Sequence, residues 1–404
     1  MTITQSSGRR LAEEGGGISA GLTVLVAFSC GALAANLYYA QPLVALIGES
    51  LGLPRAAESA IVTFTQIGYC LGLVLLVPLG DVLENRRLII VTMIANVAAL
   101  IGLTFVPSVA ILFGAMLVVG VTSTAAQMLL PLAAHLAPPA ERGRIVGNVM
   151  SGLLLGILLA RPVASFLAEY VGWRGVFALS AGAVALAALA CAVLVPTRRP
   201  SHRHSYGELI VSLGRLFLRE PVLRHRALYH AAMFGVFTVF WTAAPLILLR
   251  EPYDFSPSGV ALFALSGVLG VVAAPVTGRL ADRGHTVLGT VIAMLLVIGA
   301  FVAALFGQTS LVALVFAGVI LDLGVQANMV ISQREIYQLD AAIRSRLNAV
   351  YLAVFFLGGA LGSALTSPVL ERFGWVGICI LGLVPPALAL VSFLALDAPR
   401  RAGR

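Results

Sequence analysis

Asp322 is a carboxylate in the middle of an apolar stretch, and its position is the first in this sequence that suggests chemistry. The segment from Gly318 to Val330 contains no other charged residue, and Gln326 follows one helical turn later on the same face. In hydrocarbon an ionised carboxylate is costly unless it is protonated, paired or exposed to water. We therefore interpret Asp322 as an acid that takes up and releases a proton. The alternative is a neutral or paired acid that fixes helix packing.

Arg161 is the basic counterpart, in Gly156-Ile-Leu-Leu-Ala-Arg-Pro162. The sequence predicts that Arg161 and Asp322 are the only charged residues deep in a span. Because arginine keeps its proton, Arg161 can bind an anionic group or stabilise a charged carboxylate, but it cannot carry a proton. At about 1.5 Å per residue, the two residues fall toward opposite sides of the predicted membrane, so their contact stays open. A structural arginine bonded to backbone is the alternative.

Aromatic and amide side chains on the polar spans form the candidate substrate site. Aromatic faces suit flat, hydrophobic or cationic compounds, whereas amides supply hydrogen bonds. Helix packing and interhelical hydrogen bonds are the alternative for each residue. The candidates are Asn36, Tyr39, Gln41, Gln66, Gln127, His230, Phe234, Phe237, Trp241, Gln326, Asn348 and Tyr351.

The composition predicts an integral membrane protein. The 404 residues are 59% hydrophobic and only 11% charged, whereas soluble domains are about a quarter charged. We expect no cleavable signal peptide, because the first apolar run is too long for one. The four cysteines are scattered through apolar spans and predict neither a disulfide framework nor a metal site.

Twelve apolar runs are long enough to span a membrane, which needs roughly 20 residues each. They lie near 20–48, 57–79, 88–106, 109–136, 145–170, 174–195, 227–249, 258–280, 286–306, 309–332, 346–370 and 374–397. We predict a tail at 1–19, a six-helix bundle at 20–195, a linker at 196–226, a second bundle at 227–397 and a tail at 398–404. The linker has apolar residues at helical spacing, from Leu209 to Phe217, and predicts a short helix on the membrane face.

The arginines explain the net charge of +8 without a nucleic-acid partner. Only Arg55, Arg174, Arg250 and Arg372 fall in loops on one side of the predicted membrane, and the loops on the other side hold nearly all the rest. This asymmetry follows the positive-inside rule and predicts that both termini are cytoplasmic.

The two halves of the chain repeat each other. A shift of 202 residues places Arg142-Gly-Arg144 on Arg344-Ser-Arg346 and Gly172-Trp173 on Gly374-Trp375. Two six-helix halves in the same orientation are parallel repeats. The third, sixth, ninth and twelfth spans have little polar character, so we predict that they face lipid and that the other spans line a polar route.

The repeat, the spans and the loop motifs resemble the major facilitator superfamily, in its bacterial drug–proton antiporter branch. The resemblance covers residues 20–397. The loop motif of the family is similar to Gly278-Arg-Leu-Ala-Asp-Arg-Gly284, and a weaker copy is Leu79-Gly-Asp-Val-Leu-Glu-Asn-Arg-Arg87. The runs Asn36-Leu-Tyr-Tyr-Ala-Gln-Pro42 and Arg344-Ser-Arg-Leu-Asn-Ala-Val-Tyr351 resemble a subgroup of efflux permeases.

The resemblance implies that charged loop residues hold the cytoplasmic ends of the two halves together until the transporter turns inward. Solvated loop charges that only satisfy topology are the alternative. The residues with this implied gating role are Asp81, Arg86, Arg87, Arg144, Asp282, Arg283 and Arg346.

Two departures from the family affect the expected coupling site. The family often has an arginine in the fourth span, but Gly120-Val-Thr-Ser-Thr-Ala-Ala-Gln127 has none. The fifth-span motif of the antiporters ends in Gly-Pro, whereas this chain has Arg161 before Pro162. Arg161 is therefore a candidate replacement for the missing arginine.

These features predict a monomeric transporter of the bacterial inner membrane that exports small, mostly hydrophobic compounds in exchange for protons. The chain has neither lysine nor a phosphate-binding loop, so we expect that ATP does not drive transport directly. We expect the proton to be the coupling ion and no cofactor to be needed. Import of an organic anion with Arg161 as the anion clamp is the main alternative, and a uniporter is a third. An intramembrane hydrolase would need a nucleophile–base pair or a metal cluster, which the sequence does not offer.

Overall fold

The computed structural model describes residues 18–200, 205–272, 285–339 and 343–398. All the regular structure in these ranges is helical, as the composition predicts. The α-helices are α1 (Ala20–Ala35), α2 (Val44–Leu51), α3 (Ala60–Leu75), α4 (Asn85–Thr104), α5 (Val109–Ser123), α6 (Ala125–Leu136), α7 (Arg142–Leu194), α8 (Tyr206–Arg219), α9 (Pro221–Leu248), α10 (Pro257–Ala264), α11 (Thr286–Ala304), α12 (Leu311–Tyr337) and α13 (Arg344–Leu396). Short 3-10 turns cover Gln41–Leu43, Arg55–Ala57, Val77–Asp81 and Leu265–Val272.

The helices supply twelve membrane crossings within the described ranges. Eight helical stretches there are long and apolar enough to cross a membrane. Two of them, α7 and α13, are 53 residues long and lose helical geometry at Gly172 and Gly374, so each supplies two crossings. Two shorter apolar helices, Ala20–Ala35 and Pro257–Val268, complete the set. The predicted all-helical fold with twelve crossings is confirmed.

The sequence repeat is also a structural repeat. Gly172 and Gly374 both have positive φ, 68° and 62°, a conformation that residues with a side chain rarely adopt. A second pair of equivalent glycines brings helices into backbone contact. A Cβ on Gly156 would lie 2.2 Å from the carbonyl oxygen of Gly31, and a Cβ on Gly358 would lie 2.2 Å from that of Ala231. The same small-residue packing therefore joins α1 to α7 and α9 to α13.

Each half has its own apolar core. One cluster of buried side chains lies almost wholly between Val26 and Val195, and the other lies mainly between Leu213 and Phe393. The second cluster also includes Tyr38, Tyr69 and Ala160 from the first half, so it extends across the seam between the halves. The predicted domain boundaries stay a prediction.

The predicted lipid-facing crossings expose apolar surface, but the fifth and eleventh crossings do so as well, for example at Leu155 and Leu361. The third, sixth, ninth and twelfth crossings expose large apolar side chains along their length, including Ile94, Leu189, Leu295 and Leu388. In contrast, Leu228 is the only large apolar side chain that is exposed on α9, the seventh crossing. Helix α9 therefore lies in the interior, where it can carry functional side chains.

The predicted linker helix is present as α8 and joins the two halves. Glu208 accepts a hydrogen bond from the backbone of Ser205 at its start, which caps the helix. Leu209 and Leu213 are buried. The Tyr206 hydroxyl donates to Leu75 O at 2.8 Å, and Arg346 donates to Ser212 Oγ at 3.5 Å. We call the end of the bundle where α1 begins, α8 lies and α13 ends the terminal face, and the opposite end the distal face.

The prediction that Arg161 and Asp322 are the only deeply buried charges is wrong. Arg226, assigned to the linker from the sequence, lies inside α9 and is 2% exposed, because α9 begins at Pro221, ahead of the apolar run. It donates to Thr290 Oγ1 at 2.9 Å and stacks on Phe393 with Cζ 5.3 Å from the ring centroid. Glu58 at the distal face is 5% exposed.

A polar cluster ends α13 near Arg226 at the terminal face. The Tyr229 hydroxyl donates to Asp397 Oδ2 at 2.7 Å, and His225 Nδ1 lies 3.0 Å from Asp397 Oδ1. Burial raises the pKa of Asp397, but hydrogen bonds from Tyr229 and His225 and the charges of His225 and Arg226 outweigh it, so the net pKa lies below its ordinary value. These contacts attach the last helix to the start of α9.

Gly172→Ala should destabilise the protein by about 1–3 kcal/mol, because alanine at this φ and ψ is strained whatever space surrounds it. Gly182→Ala is the matched control, since Gly182 is helical and its added Cβ would meet nothing within 4 Å. The thermal unfolding midpoints of both variants in detergent provide the measurement. Equal midpoints would show that the kink does not need glycine.

Candidate functional site

Arg161 lies between the two halves, where three aromatic rings surround its guanidinium. Its Cζ is 5.2 Å from the ring centroid of Tyr38, 4.9 Å from that of Phe237 and 4.6 Å from that of Trp241. The side chain of Arg161 is carried by α7 of the first half, whereas Phe237 and Trp241 are on α9 of the second. Aromatic faces attract a cation, which lowers the cost of burying Arg161 at 5% exposure.

Gln41 holds Arg161 in this position. Arg161 Nε donates to Gln41 Oε1 at 2.6 Å, and Gln41 itself is fully buried. The first crossing is not one continuous helix, because α1 ends at Ala35 and a 3-10 turn with Pro42 follows. The side chain of Gln41 therefore comes from a break in the first crossing, in the middle of the membrane-spanning region.

Asp322 lies near the edge of the same tryptophan ring. A Cβ built on Gly267 would be 2.7 Å from Asp322 Oδ2 and 2.9 Å from Trp241 Cζ2, so all three residues are in close contact. Asp322 is 4% exposed, and its charge interacts with that of Arg161 through space. These two described residues form no direct ion pair. The structure thus brings them together around Trp241, which the sequence left open.

Four buried polar atoms in this region have no hydrogen-bond partner. They are Gln41 Nε2, Arg161 Nη2, Trp241 Nε1 and Asp322 Oδ2. The Trp241 indole faces the Asp322 carboxylate, but Trp241 Nε1 and Asp322 Oδ2 do not form a hydrogen bond of normal geometry. Since buried polar groups are almost always paired, several unpaired atoms at one seam mark a place for a polar ligand, a water or a proton. We call Gln41, Arg161, Trp241, Asp322 and Gly267 the central site.

The structure contains the aromatic face that the sequence predicts on α9, and this face continues from the central site. Phe234 stacks on Phe237 at 5.4 Å, and Phe237 lies 6.5 Å from Trp241, measured between ring centroids. His230 lies 4.8 Å from Phe355 and 5.6 Å from Tyr351 by the same measure. The result is a row of rings from His230 to Trp241.

Asn328 belongs to this row and was not singled out from the sequence. Its Nδ2 lies 3.0 Å from His230 Nδ1, and both residues are buried. Asn328 lies six residues after Asp322 on α12, so a search for polar residues beyond the charged ones could have found it.

Three of the predicted amide ligands lie between the halves, and a fourth, Asn36, lies within the first half. Gln66 Nε2 donates to Thr238 Oγ1 at 3.4 Å across the seam, whereas Gln127 and Asn348 line a cavity of about 430 Å³ between the halves near the terminal face. Asn36 is different, because it accepts from Ser180 at 2.6 Å and donates to Asn96 at 3.1 Å within the first half. Its side chain joins helices of one bundle, and substrate contact by Asn36 stays a prediction.

The other two candidates lie outside these groups. Tyr39 lines a second cavity of about 680 Å³ between α1 and α7, and Gln326 is half-buried on α12. Their contact with substrate stays a prediction.

None of the described residues with a predicted gating role forms an ion pair with a residue of the opposite half. Arg86 donates to the carbonyl of Ala192, Arg144 pairs with Glu141 on its own helix, and Arg346 contacts the linker. Asp81 and Arg87 are exposed. Asp282 and Arg283 lie outside the described residues. The gating role of all seven stays a prediction.

The distal face carries an inter-half ion pair that sequence reasoning missed. Arg250 Nη2 donates to Glu58 Oε2 at 3.2 Å. Next to Glu58, Ser59 exchanges two backbone-to-hydroxyl hydrogen bonds of 3.0 Å with Ser367 of the second half. Thr63 and Ser363 pair one turn deeper at 2.9 Å. The halves are therefore joined at the distal face, while the cavity of about 430 Å³ separates them near the terminal face.

Comparison of the sequence with known proteins identifies a family and relatives without an assigned substrate. The sequence pattern of the Major Facilitator Superfamily matches residues 23–342. The chain is 38% identical over 378 residues to YgaY of Escherichia coli (strain K12), described as an uncharacterized transporter, with 93% of this chain and 95% of YgaY covered. It is 33% identical over 358 residues to SCO4007 of Streptomyces coelicolor, also described only as a transporter, with 88% and 83% covered.

Solved structures share the fold at low sequence identity. The nucleoside transporter NupG superposes with a TM-score of 0.74 at 13% identity, covering 93% of this chain and 99% of NupG. A D-xylose–proton symporter gives a TM-score of 0.71 at 15% identity, covering 95% and 98%. A peptide transporter, POT, in complex with sulfate gives 0.74 at 18% identity, covering 94% of each chain. At these identities the likeness concerns the fold alone.

Glu58→Gln should loosen the distal contact, because it removes one charge of an inter-half ion pair worth about 1 kcal/mol, or roughly fivefold in population. The measurement is the labelling rate of Thr63→Cys by a maleimide in purified protein that lacks its native cysteines. Arg174→Gln is the matched control, since Arg174 is on the same face but bonds only to Ser50 and Val106 of its own half. Equal labelling rates in both variants would contradict a gating role for Glu58.

Proposed function

The chain belongs to the major facilitator superfamily, and we propose that it is a proton-coupled exporter of small, mostly hydrophobic compounds. It is a multi-pass membrane transporter with twelve crossings. The observation that carries the proposal is Asp322, a buried carboxylate with an unpaired oxygen at the seam between the halves. A titratable group at this seam is accessible to either side only when the halves move, as coupling requires.

Asp322 carries the proton in this proposal, and Arg161 sets the condition for its release. The charge of Arg161 favours the ionised carboxylate, whereas the apolar surroundings favour the protonated one. Because Trp241 contacts both residues, a modest movement of α9 or of Gly267 changes the balance. No cofactor is needed, since the proton is the coupling ion.

Alternating access uses the contacts at the two ends of the seam. The distal contacts between Glu58 and Arg250 and between the Ser and Thr pairs are weak enough to break, because interhelical hydrogen bonds in membranes are worth only about 0.6–2 kcal/mol. The arginine-rich loops lie at the terminal face. By the positive-inside rule, that face is the cytoplasmic side of the bacterial inner membrane in this proposal. Both termini are then cytoplasmic, and the cavity of about 430 Å³ near the terminal face opens inward.

Hydrophobic compounds enter from the cytoplasmic cavity in this proposal. Gln127 and Asn348 line that cavity with Leu73 and Leu352, so it combines amides with apolar surface. The aromatic row from His230 to Trp241 leads from this part of the seam to the central site and offers flat faces to a planar ligand. A monomeric state and the absence of a nucleic-acid partner stay predictions.

Asp322→Asn should abolish proton-coupled export and leave binding of neutral substrates largely intact, because it keeps the shape of the side chain and removes its titration. The measurement is substrate-induced pH change in proteoliposomes with a panel of lipophilic cations. Asp397→Asn is the matched control, a carboxylate bonded to Tyr229 at the terminal face and remote from the seam. Undiminished uphill export by Asp322→Asn would exclude Asp322 as the carrier.

Import or exchange of an organic anion is the second candidate, and the geometry of Arg161 favours it specifically. The guanidinium has an unpaired Nη2 within a buried aromatic site, as an anion clamp requires. In that case Asp322 adjusts the charge of the site without carrying the transported proton.

Arg161→Ala distinguishes the two candidates. If the transported compound is an anion, the variant should lose anion flux by roughly 10–100-fold, as expected for a lost charged hydrogen bond, and keep most export of neutral compounds. The measurement is uptake of labelled anions and of neutral lipophilic compounds by the same proteoliposomes. Equal loss for every class of compound would assign Arg161 a structural role.

A further inference from the structure

The central site offers hydrogen-bond donors and a carboxylate to the same ligand. Two unpaired donors, Arg161 Nη2 and Gln41 Nε2, lie in one buried region together with the acceptor Asp322 Oδ2, which the Trp241 indole faces. We propose that the transported compound is amphoteric, with a carboxylate and a protonated amino group at opposite ends of an aromatic body. This inference rests on the proposed function, because it takes the central site to be the substrate site.

The donor side matches a carboxylate. Arg161 uses Nε for Gln41 Oε1 and leaves Nη2 free, and the amide nitrogen of Gln41 is free beside it. Two adjacent N–H donors, one of them charged, match the two oxygens of a carboxylate. Arginine is always charged, so this half of the site stays positive through the transport cycle.

The acceptor side matches a protonated amine. Asp322 has one oxygen without any partner, and Gly267 approaches it so closely that a Cβ would lie 2.7 Å away. A cation here can pair with Asp322 and can lie against the adjacent indole ring. In the antiport cycle the ammonium group of the substrate takes the place of the proton on Asp322.

The positions of the Arg161 and Asp322 charges around Trp241 indicate which chemical group connects the two charged ends of the ligand. The guanidinium lies over the Trp241 ring, with Cζ 4.6 Å from its centroid, whereas Asp322 lies near Cζ2 at the edge of that ring. The two charged groups thus contact the same indole, one at its face and one at its edge, and form no direct ion pair. A compound with one aromatic ring between its carboxylate and its amine can reach both groups and stack on Phe237 or Tyr38.

A ligand of one sign satisfies only half of this site. A lipophilic cation pairs with Asp322 but adds positive charge near Arg161, which has no acid within ion-pair distance among the described residues. An organic anion pairs with Arg161 but adds negative charge near Asp322. An amphoteric ligand adds no net charge to a site that is shielded from water, where repulsion between like charges is least screened.

The test uses three matched probes and the full-length protein in detergent. The probes are para-(aminomethyl)benzoate, its methyl ester, which lacks the negative charge, and its N-acetyl derivative, which lacks the positive charge. Isothermal titration calorimetry measures the affinity of each. The amphoteric probe should bind the wild type at least roughly tenfold more tightly than either derivative, as expected when one charged hydrogen bond is lost.

Two substitutions should give opposite patterns. Arg161→Gln should weaken binding of the amphoteric probe and of the N-acetyl derivative and spare the ester. Asp322→Asn should weaken binding of the amphoteric probe and of the ester and spare the N-acetyl derivative. Arg174→Gln, another arginine stacked on a tryptophan, and Asp397→Asn are the matched controls and should bind all three probes like the wild type. The spared probe shows that each variant is folded.

The outcomes separate this inference from the proposed function. Failure of the amphoteric probe to bind, or equal binding of either derivative, overturns the amphoteric substrate. The export proposal survives that result if Asp322→Asn still abolishes the proton movement driven by a lipophilic cation. The crossed pattern of binding with no proton movement in proteoliposomes supports the amphoteric substrate and contradicts proton coupling.

Discussion

Two opposite charges are buried at the seam between the halves without forming a direct pair, and this arrangement constrains the rest of the structure. An isolated charge in a medium of low dielectric constant costs several kcal/mol. Here aromatic rings and Gln41 stabilise Arg161, whereas Asp322 keeps an oxygen without a partner. The free-energy cost of burying these two charges is therefore only partly offset. A proton, a ligand or a movement of the helices changes the energy of this site more than that of any fully paired polar cluster.

The paired polar clusters show the difference. Asn36, Asn96 and Ser180 are joined by short hydrogen bonds inside the first half. In the second half Arg226 donates to Thr290 and stacks on Phe393. Together with the glycine contacts that bring α1 to α7 and α9 to α13, these clusters make each half a well-packed unit. The polar contacts across the seam are hydroxyl and amide hydrogen bonds and one partly exposed ion pair, and they lie beside apolar and cation–π contacts. Movement between the halves leaves the close glycine contacts within each half intact.

The break in the first crossing links the fold to the site. A continuous helix from residue 20 to residue 51 would satisfy its own backbone and place Gln41 on a helix face. Instead α1 ends at Ala35, and the 3-10 turn with Pro42 places Gln41 against Arg161. The 3-10 segment that contains Gly267 brings the eighth crossing close to Trp241 and Asp322 in the same way. Irregular backbone thus occurs where the chain forms a polar site, as is usual in membrane transporters.

The sequence by itself determined the crossings, the repeat and two of the buried charges, Asp322 and Arg161, but it did not identify Arg226 or Glu58 as buried. Length and hydrophobicity are enough for the crossings, because a membrane crossing needs only a long apolar run, and the repeat places Gly172 and Gly374 at equivalent positions. Only the tertiary structure decided which polar groups meet. Glu58 and Arg250 are 192 residues apart, and Asn36 bonds within its own half although its sequence context resembles that of Gln41. Helical periodicity gives the face on which a side chain lies, but its partner depends on how helices from distant parts of the chain pack together.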